Sequence, residues 1–178
     1  MNPNSIPKQF SSWVCYCLAA IFIASTAFGQ GTPSTQPGGA ITINDAANAS
    51  PYPSTVLVTN YVGAITRVTV TLSGVTHGYP DDLDVVLESP DGERVTLWSD
   101  AGGQFDVNSV DLTFDSSTPA APLLPDEAQI NSGRFRPTNN NPSGDPDPAI
   151  SVGAGTDLGV FIGDDSTGVW RLFVNDDT

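Results

Sequence analysis

Apolar and polar residues alternate with a period of two along most of this chain. Leu83, Val85 and Leu87 interleave with Asp82, Asp84, Val86 and Glu88, the pattern of a half-buried strand. Pro90-Asp91-Gly92 then supplies a proline that pre-sets φ and a glycine free to take φ > 0, and Val95 and Leu97 resume the alternation. This stretch predicts a β-hairpin. Similar short runs cover residues 41–43, 55–58, 64–72, 110–114, 158–162 and 169–174, and no window sustains a 3.6-residue period. Regularly spaced strands with Gly, Pro and Asp between them predict an all-β jelly-roll β-sandwich.

Parity assigns the faces. Val68, Val70, Leu72, Leu83, Val85, Leu87, Val95, Leu97, Leu112, Phe114, Val160, Ile162, Trp170, Leu172 and Val174 are expected to point inward, and Arg67, Thr69 and Thr71 toward solvent. Trp98 shares its parity with outward residues. The interval 116–156 carries seven prolines, which cannot donate to a sheet ladder, so it reads as a long loop anchored by Phe135.

The first 29 residues break the alternation. Lys8 is their only charge, an apolar run follows from Val14, and Ala27-Phe28-Gly29 offers small residues for cleavage, so 1–29 reads as a secretory signal peptide and the protein as secreted, extracellular or periplasmic. Both cysteines, Cys15 and Cys17, leave with that segment, and no disulfide or thiol is expected in the remainder. Residues 30–39 form a flexible Gly/Pro/Ser/Thr linker, and 40–178 suffice for one domain. Loss of Lys8 takes the formal charge from −14 to −15. Such a surface repels phosphate backbones and anionic headgroups, which disfavours nucleic acid and membrane partners.

Candidate chemistry concentrates between His77 and Gly103. Asp81, Asp82, Asp84 and Asp100 are the candidate metal ligands: like charges so near one another call for a cation, and Ca²⁺ prefers carboxylates gathered by turns. Capped turns account for the same residues without metal. His77, the sole histidine, has no G-x-S-x-G serine to serve and is expected to brace the turn. No catalytic residue and no organic cofactor is assigned. Trp98 and Tyr79 are the aromatics expected to be available for stacking on a glycan.

The ordered set of motifs resembles the P domain (P/Homo B domain) that follows the catalytic domain in subtilisin-like proprotein convertases, in its secreted bacterial form. The likeness runs through Thr76-His77, Asp81-Asp82-Leu83-Asp84, Ser89-Pro90-Asp91-Gly92 and Ser99-Asp100-Ala101-Gly102-Gly103. It continues in Gly133-Arg134-Phe135 and in Phe161, Gly163, Gly168, Trp170 and Leu172, similar to the family's F-x-G-x-x-x-x-G-x-W-x-L. The resemblance implies a galactose-binding-like sandwich that packs against a subtilisin-like catalytic domain and supports its stability and calcium dependence. The chain itself is expected to be a non-catalytic accessory module, although the family is associated with serine-type endopeptidases. The family continues into a further strand with a second tryptophan, so a chain stopping at Thr178 is expected to lack its last strand. A carbohydrate-binding module, or a fragment of a longer secreted protease or exoprotein, are the alternatives.

Overall fold

The computed structural model describes residues 34–117, 121–141 and 154–178, and the backbone of Val14–Cys15. Apart from the backbone of Val14–Cys15, the expected signal peptide lies outside the described residues, as do residues 30–33 of the expected linker. Strand β1 (Val14–Cys15) pairs antiparallel with β2 (Ile41–Thr42). The others are β3 (Ser54–Val58), β4 (Thr69–His77), β5 (Leu83–Glu88), β6 (Arg94–Ser99), β7 (Val107–Asp115), β8 (Gly133–Phe135), β9 (Thr138–Asn139) and β10 (Gly168–Asp176). They form one sheet in the order β3-β10-β5-β6-β9 and a second in the order β4-β7-β8. Among the described residues there is no α-helix. The fold is an all-β sandwich, as the alternation predicts.

Burial of one face of each sheet builds a continuous apolar core in which Trp98, Trp170, Phe114 and Phe161 are the largest fully buried side chains. Phe161 meets Trp170 edge-on at 5.1 Å, and the Trp170 indole N–H donates to the carbonyl of Ser166 at 3.0 Å. The hairpin from β5 to β6 forms as predicted, closed by Gly92 N–H donating to Ser89 O at 3.1 Å. β10 lies between β3 and β5, so both of its edges are occupied.

The structure corrects four readings. Trp98, expected outward, is fully buried, because a bulge at Leu97 resets the parity of β6: Val86 faces Thr96 but Val85 faces Trp98, on the core side. Residues 158–162 form no strand. Asp157 caps a 3₁₀ turn, Leu158–Phe161, by accepting the Gly159 N–H at 2.8 Å, and the three-residue period buries Leu158 and Phe161 while Val160 and Ile162 stay exposed. Thr69, expected in solvent, is buried where it lies across from Asp115. The run 64–72 splits: Ile65 bonds to Gly163 and Asp164, while β4 starts at Thr69 and continues past Leu72 through a bulge that Gly74 accommodates at φ +68°.

Phe135 packs against the core as expected. Its long segment nevertheless contributes two strands: β8 joins β7 in parallel, and β9 joins β6 in parallel on the other sheet. Replacing Trp98 with Ala is expected to cost about 3–5 kcal/mol of stability, as for other buried aromatics. An unfolding midpoint in urea unchanged from wild type would show that the ring is not in the core.

Candidate functional site

Several polar groups meet at the end of the sandwich where β4 finishes. Pro80 opens a 3₁₀ turn, Pro80–Asp82, that returns the chain from β4 in one sheet to β5 in the other. His77 at the end of β4 reaches across the gap: its Nε2 lies 2.9 Å from Oδ2 of Asp176 on β10, and its Nδ1 lies 2.9 Å from the carbonyl oxygen of Tyr79. Asp177 N–H donates to Asp82 O at 3.1 Å just beyond. These contacts latch the two sheets together. His77 braces the turn, as its position suggested, but its principal partner sits 99 residues away. Burial pushes the Asp176 carboxyl up; His77 opposes that shift, and the nearby Asp82 charge adds to it.

The four aspartates expected to hold calcium are spread over this end. Asp81 Oδ1 accepts the Gly103 N–H at 3.3 Å. Asp82 lies near Asp176, on the latch. Asp84 goes elsewhere: Leu83 pairs with Asp176 on the core side, so alternation sends Asp84 to the opposite face with Asn175. There the Tyr52 phenol is pushed up by burial and then by the Asp84 charge, beside a Tyr52–Phe173 edge contact at 5.3 Å. Asp100, at φ +49°, accepts the Ser99 hydroxyl at 2.8 Å, and its carbonyl accepts Asn140 Nδ2–H at 2.8 Å. Among the described residues no three His, Cys, Asp or Glu side chains gather as a metal-binding group. These residues lie at one end of the fold, and sheet alternation turns Asp84 to the face opposite Asp176. Of the two aromatics proposed for sugar stacking, Tyr79 is half exposed and Trp98 is not available.

The opposite end carries the arginines, an arrangement that parity gave no sign of. Asp115, fully buried on β7, accepts hydrogen bonds from Arg67 before β4 and from Arg134 on β8. Burial alone would raise its carboxyl; the bonds from Arg67, Ser117 and Arg134 outweigh that and hold it well below the usual carboxylate range. In the other sheet Arg171, Glu88 and Arg94 occupy one cross-strand row over β10, β5 and β6, with Arg94 Nε 2.8 Å and Arg171 Nη1 3.2 Å from the Glu88 carboxylate. Each sheet therefore pins three neighbouring segments with one carboxylate between two guanidiniums.

Residues 65–121 match the family model described as Proprotein convertase P-domain. This segment is similar to P-domain sequence. It runs from Ile65 through β4, the latch histidine, the β5–β6 hairpin and β7. Neither the curated proteins nor the solved structures contain a match to the chain. The matched segment includes His77, which here serves the contact between sheets.

Two expectations follow. In His77→Ala the buried Asp176 loses its partner, which is expected to destabilise the fold by about 3 kcal/mol at pH 7. A carboxyl raised above its ordinary 3.8 binds its proton more tightly when folded, so its ionisation costs stability as pH rises through the raised value. The His77→Ala deficit, read from urea midpoints, should therefore shrink as pH falls toward the ordinary carboxylate range; a deficit that is constant with pH would rule out the latch. Asp115 has the opposite sign. Its depressed carboxyl adds stability at neutral pH that is lost only as pH falls below the ordinary value. Asp115→Ala, leaving two half-exposed arginines around a void, is expected to cost about 3–5 kcal/mol against about 1 kcal/mol for Arg67→Ala alone. Equal midpoints for these two variants would refute the shared-carboxylate arrangement.

Proposed function

We propose that the chain is an exported, non-catalytic accessory module that docks onto another extracellular protein, with a subtilisin-like serine protease domain as the partner class. The observation that carries this reading is the P-domain segment at residues 65–121, which supplies β4 and β7 of one sheet and β5 and β6 of the other. The fate of His77 supports it: both ring nitrogens engage structural partners, so the sole histidine is spent on holding the fold together rather than on a nucleophile. An accessory domain stabilises its partner by binding the native state alone, by RT ln(1 + [L]/Kd).

The test mixes the purified chain with the catalytic domain of a subtilisin-like protease exported by the same organism. The expected result is a concentration-dependent rise in that domain's melting temperature, with no hydrolysis of peptide substrate by the chain alone. At a chain concentration one hundred times Kd the stabilisation should be about 2.7 kcal/mol. No shift at any ratio, or turnover by the isolated chain that is lost in His77→Ala, would overturn the proposal.

A further inference from the structure

We propose that the end of the sandwich bearing Tyr79 and Phe105 is a recognition surface for a cationic peptide segment, whose lysine or arginine side chains lie against the two rings within an acidic rim. This names the chemistry of a partner and so rests on the interaction-module reading. The rings are the starting point: Tyr79 is 46% and Phe105 40% exposed, large apolar surfaces left in water. The last cross-strand pair of β4 and β7 is His77 with Val107. Tyr79 comes two residues after the first and Phe105 two before the second, so the rings leave adjacent antiparallel strands at the same level.

The backbone beneath them is held in place. The Tyr79 carbonyl oxygen lies 2.9 Å from His77 Nδ1 and accepts from Asp82 N–H at 3.1 Å. Phe105 N–H donates to Gly102 O at 3.3 Å. Gly102, at φ +101°, lies so close to the first loop that a Cβ there would stand 2.7 Å from Pro80 Cγ and 2.8 Å from Ile130 Cδ1. A ligand meets a surface already in shape, and little ordering opposes binding.

Charge decides which ligand. Three exposed acids lie close by in the chain or the fold: Asp106 follows Phe105, Asp126 O accepts the Gly102 N–H at 2.7 Å, and the Glu127 carboxylate stands over Gly103, 2.5 Å from where a Cβ would sit. The arginines of the described residues are all elsewhere. Arg67 and Arg134 are on Asp115, across from Thr69, eight residues and roughly 25 Å of strand before His77. Arg94 and Arg171 are on Glu88, at the far end of β5 from the Pro80–Asp82 turn. Arg136 follows β8, which runs parallel to β7 toward Asp115, and donates to Ala121 O. Among the described residues, the aromatic end therefore carries carboxylates and no arginine. Aromatic faces attract cations, and surrounding carboxylates add to that attraction; an anionic segment would be repelled, and a neutral sugar would stack while leaving the charge unanswered.

The experiment titrates a labelled peptide with arginine and lysine spaced by glycine and serine into the full chain. Glutamine replaces each basic residue in a control peptide, and a neutral oligosaccharide is run in parallel. Saturable binding of the basic peptide alone is expected, weakening as salt is raised. Tyr79→Ala and Phe105→Ala should each lower affinity about fivefold, and Glu127→Gln should lower it while Asp91→Asn, in the distant β5–β6 turn, leaves it unchanged. Urea midpoints check folding, with Tyr79→Leu and Phe105→Leu replacing any alanine variant that unfolds. Equal losses in Glu127→Gln and Asp91→Asn would reduce the effect to general attraction by an acidic protein and overturn the proposal, as would ring variants that bind normally or an oligosaccharide that uses these rings instead. Loss of peptide binding with stabilisation of a catalytic domain intact would sink this surface and spare the accessory role; peptide binding without that stabilisation would do the reverse.

Discussion

Each sheet of this sandwich has one face it must bury, and the two faces cover each other around Trp98, Trp170, Phe114 and Phe161. Every other feature is arranged on that packed centre. Both cysteines precede the sandwich, so its strands are joined by packing and polar contacts without a disulfide. β10 has a leading part: paired with β3 and β5, it carries Trp170, Leu172 and Val174 into the core and ends at Asp176, the residue that engages His77 across the gap. A core of this kind resists the loss of any large side chain because the space left cannot collapse fully.

Polar groups divide the sandwich lengthwise. At one end lie two sets of a carboxylate between two guanidiniums, each spanning three neighbouring segments of a sheet; at the other lie the latch, the aspartate turn and two exposed rings. Pairing nearly all of the arginine with buried or half-buried carboxylates lets a strongly acidic chain hold its strands in register. Among the described residues it also leaves the latch end with carboxylates and no arginine. The same segregation that orders the sheets thus sets which ligands the free end attracts.

Much of the candidate site was legible in the chain and part of it was not. The turn Pro80–Asp82, the hairpin and the structural use of His77 follow from local chemistry, because proline, glycine and aspartate act within a few residues. The placement of Asp84 did not follow. Asp84 belongs to a strand, and strand alternation places its carboxylate on the face opposite the latch, beside Tyr52. Phe105 carried no motif, and its significance comes only from the level at which β4 and β7 stop pairing.

The sequence by itself determined the class of fold, the hairpin, most of the core and the likeness of its central segment to a P domain, because period-two alternation and turn residues encode these within short windows. Tertiary structure decided what parity could not carry across an irregularity. One extra residue in β6 moved Trp98 from the solvent side to the core, and a three-residue period in the Leu158–Phe161 turn exposed Val160 and Ile162. It also decided every contact between distant segments: His77 with Asp176, Arg171 with Glu88 and Arg67 with Asp115 join residues that no local pattern relates, since each depends on which strands become neighbours and in what register.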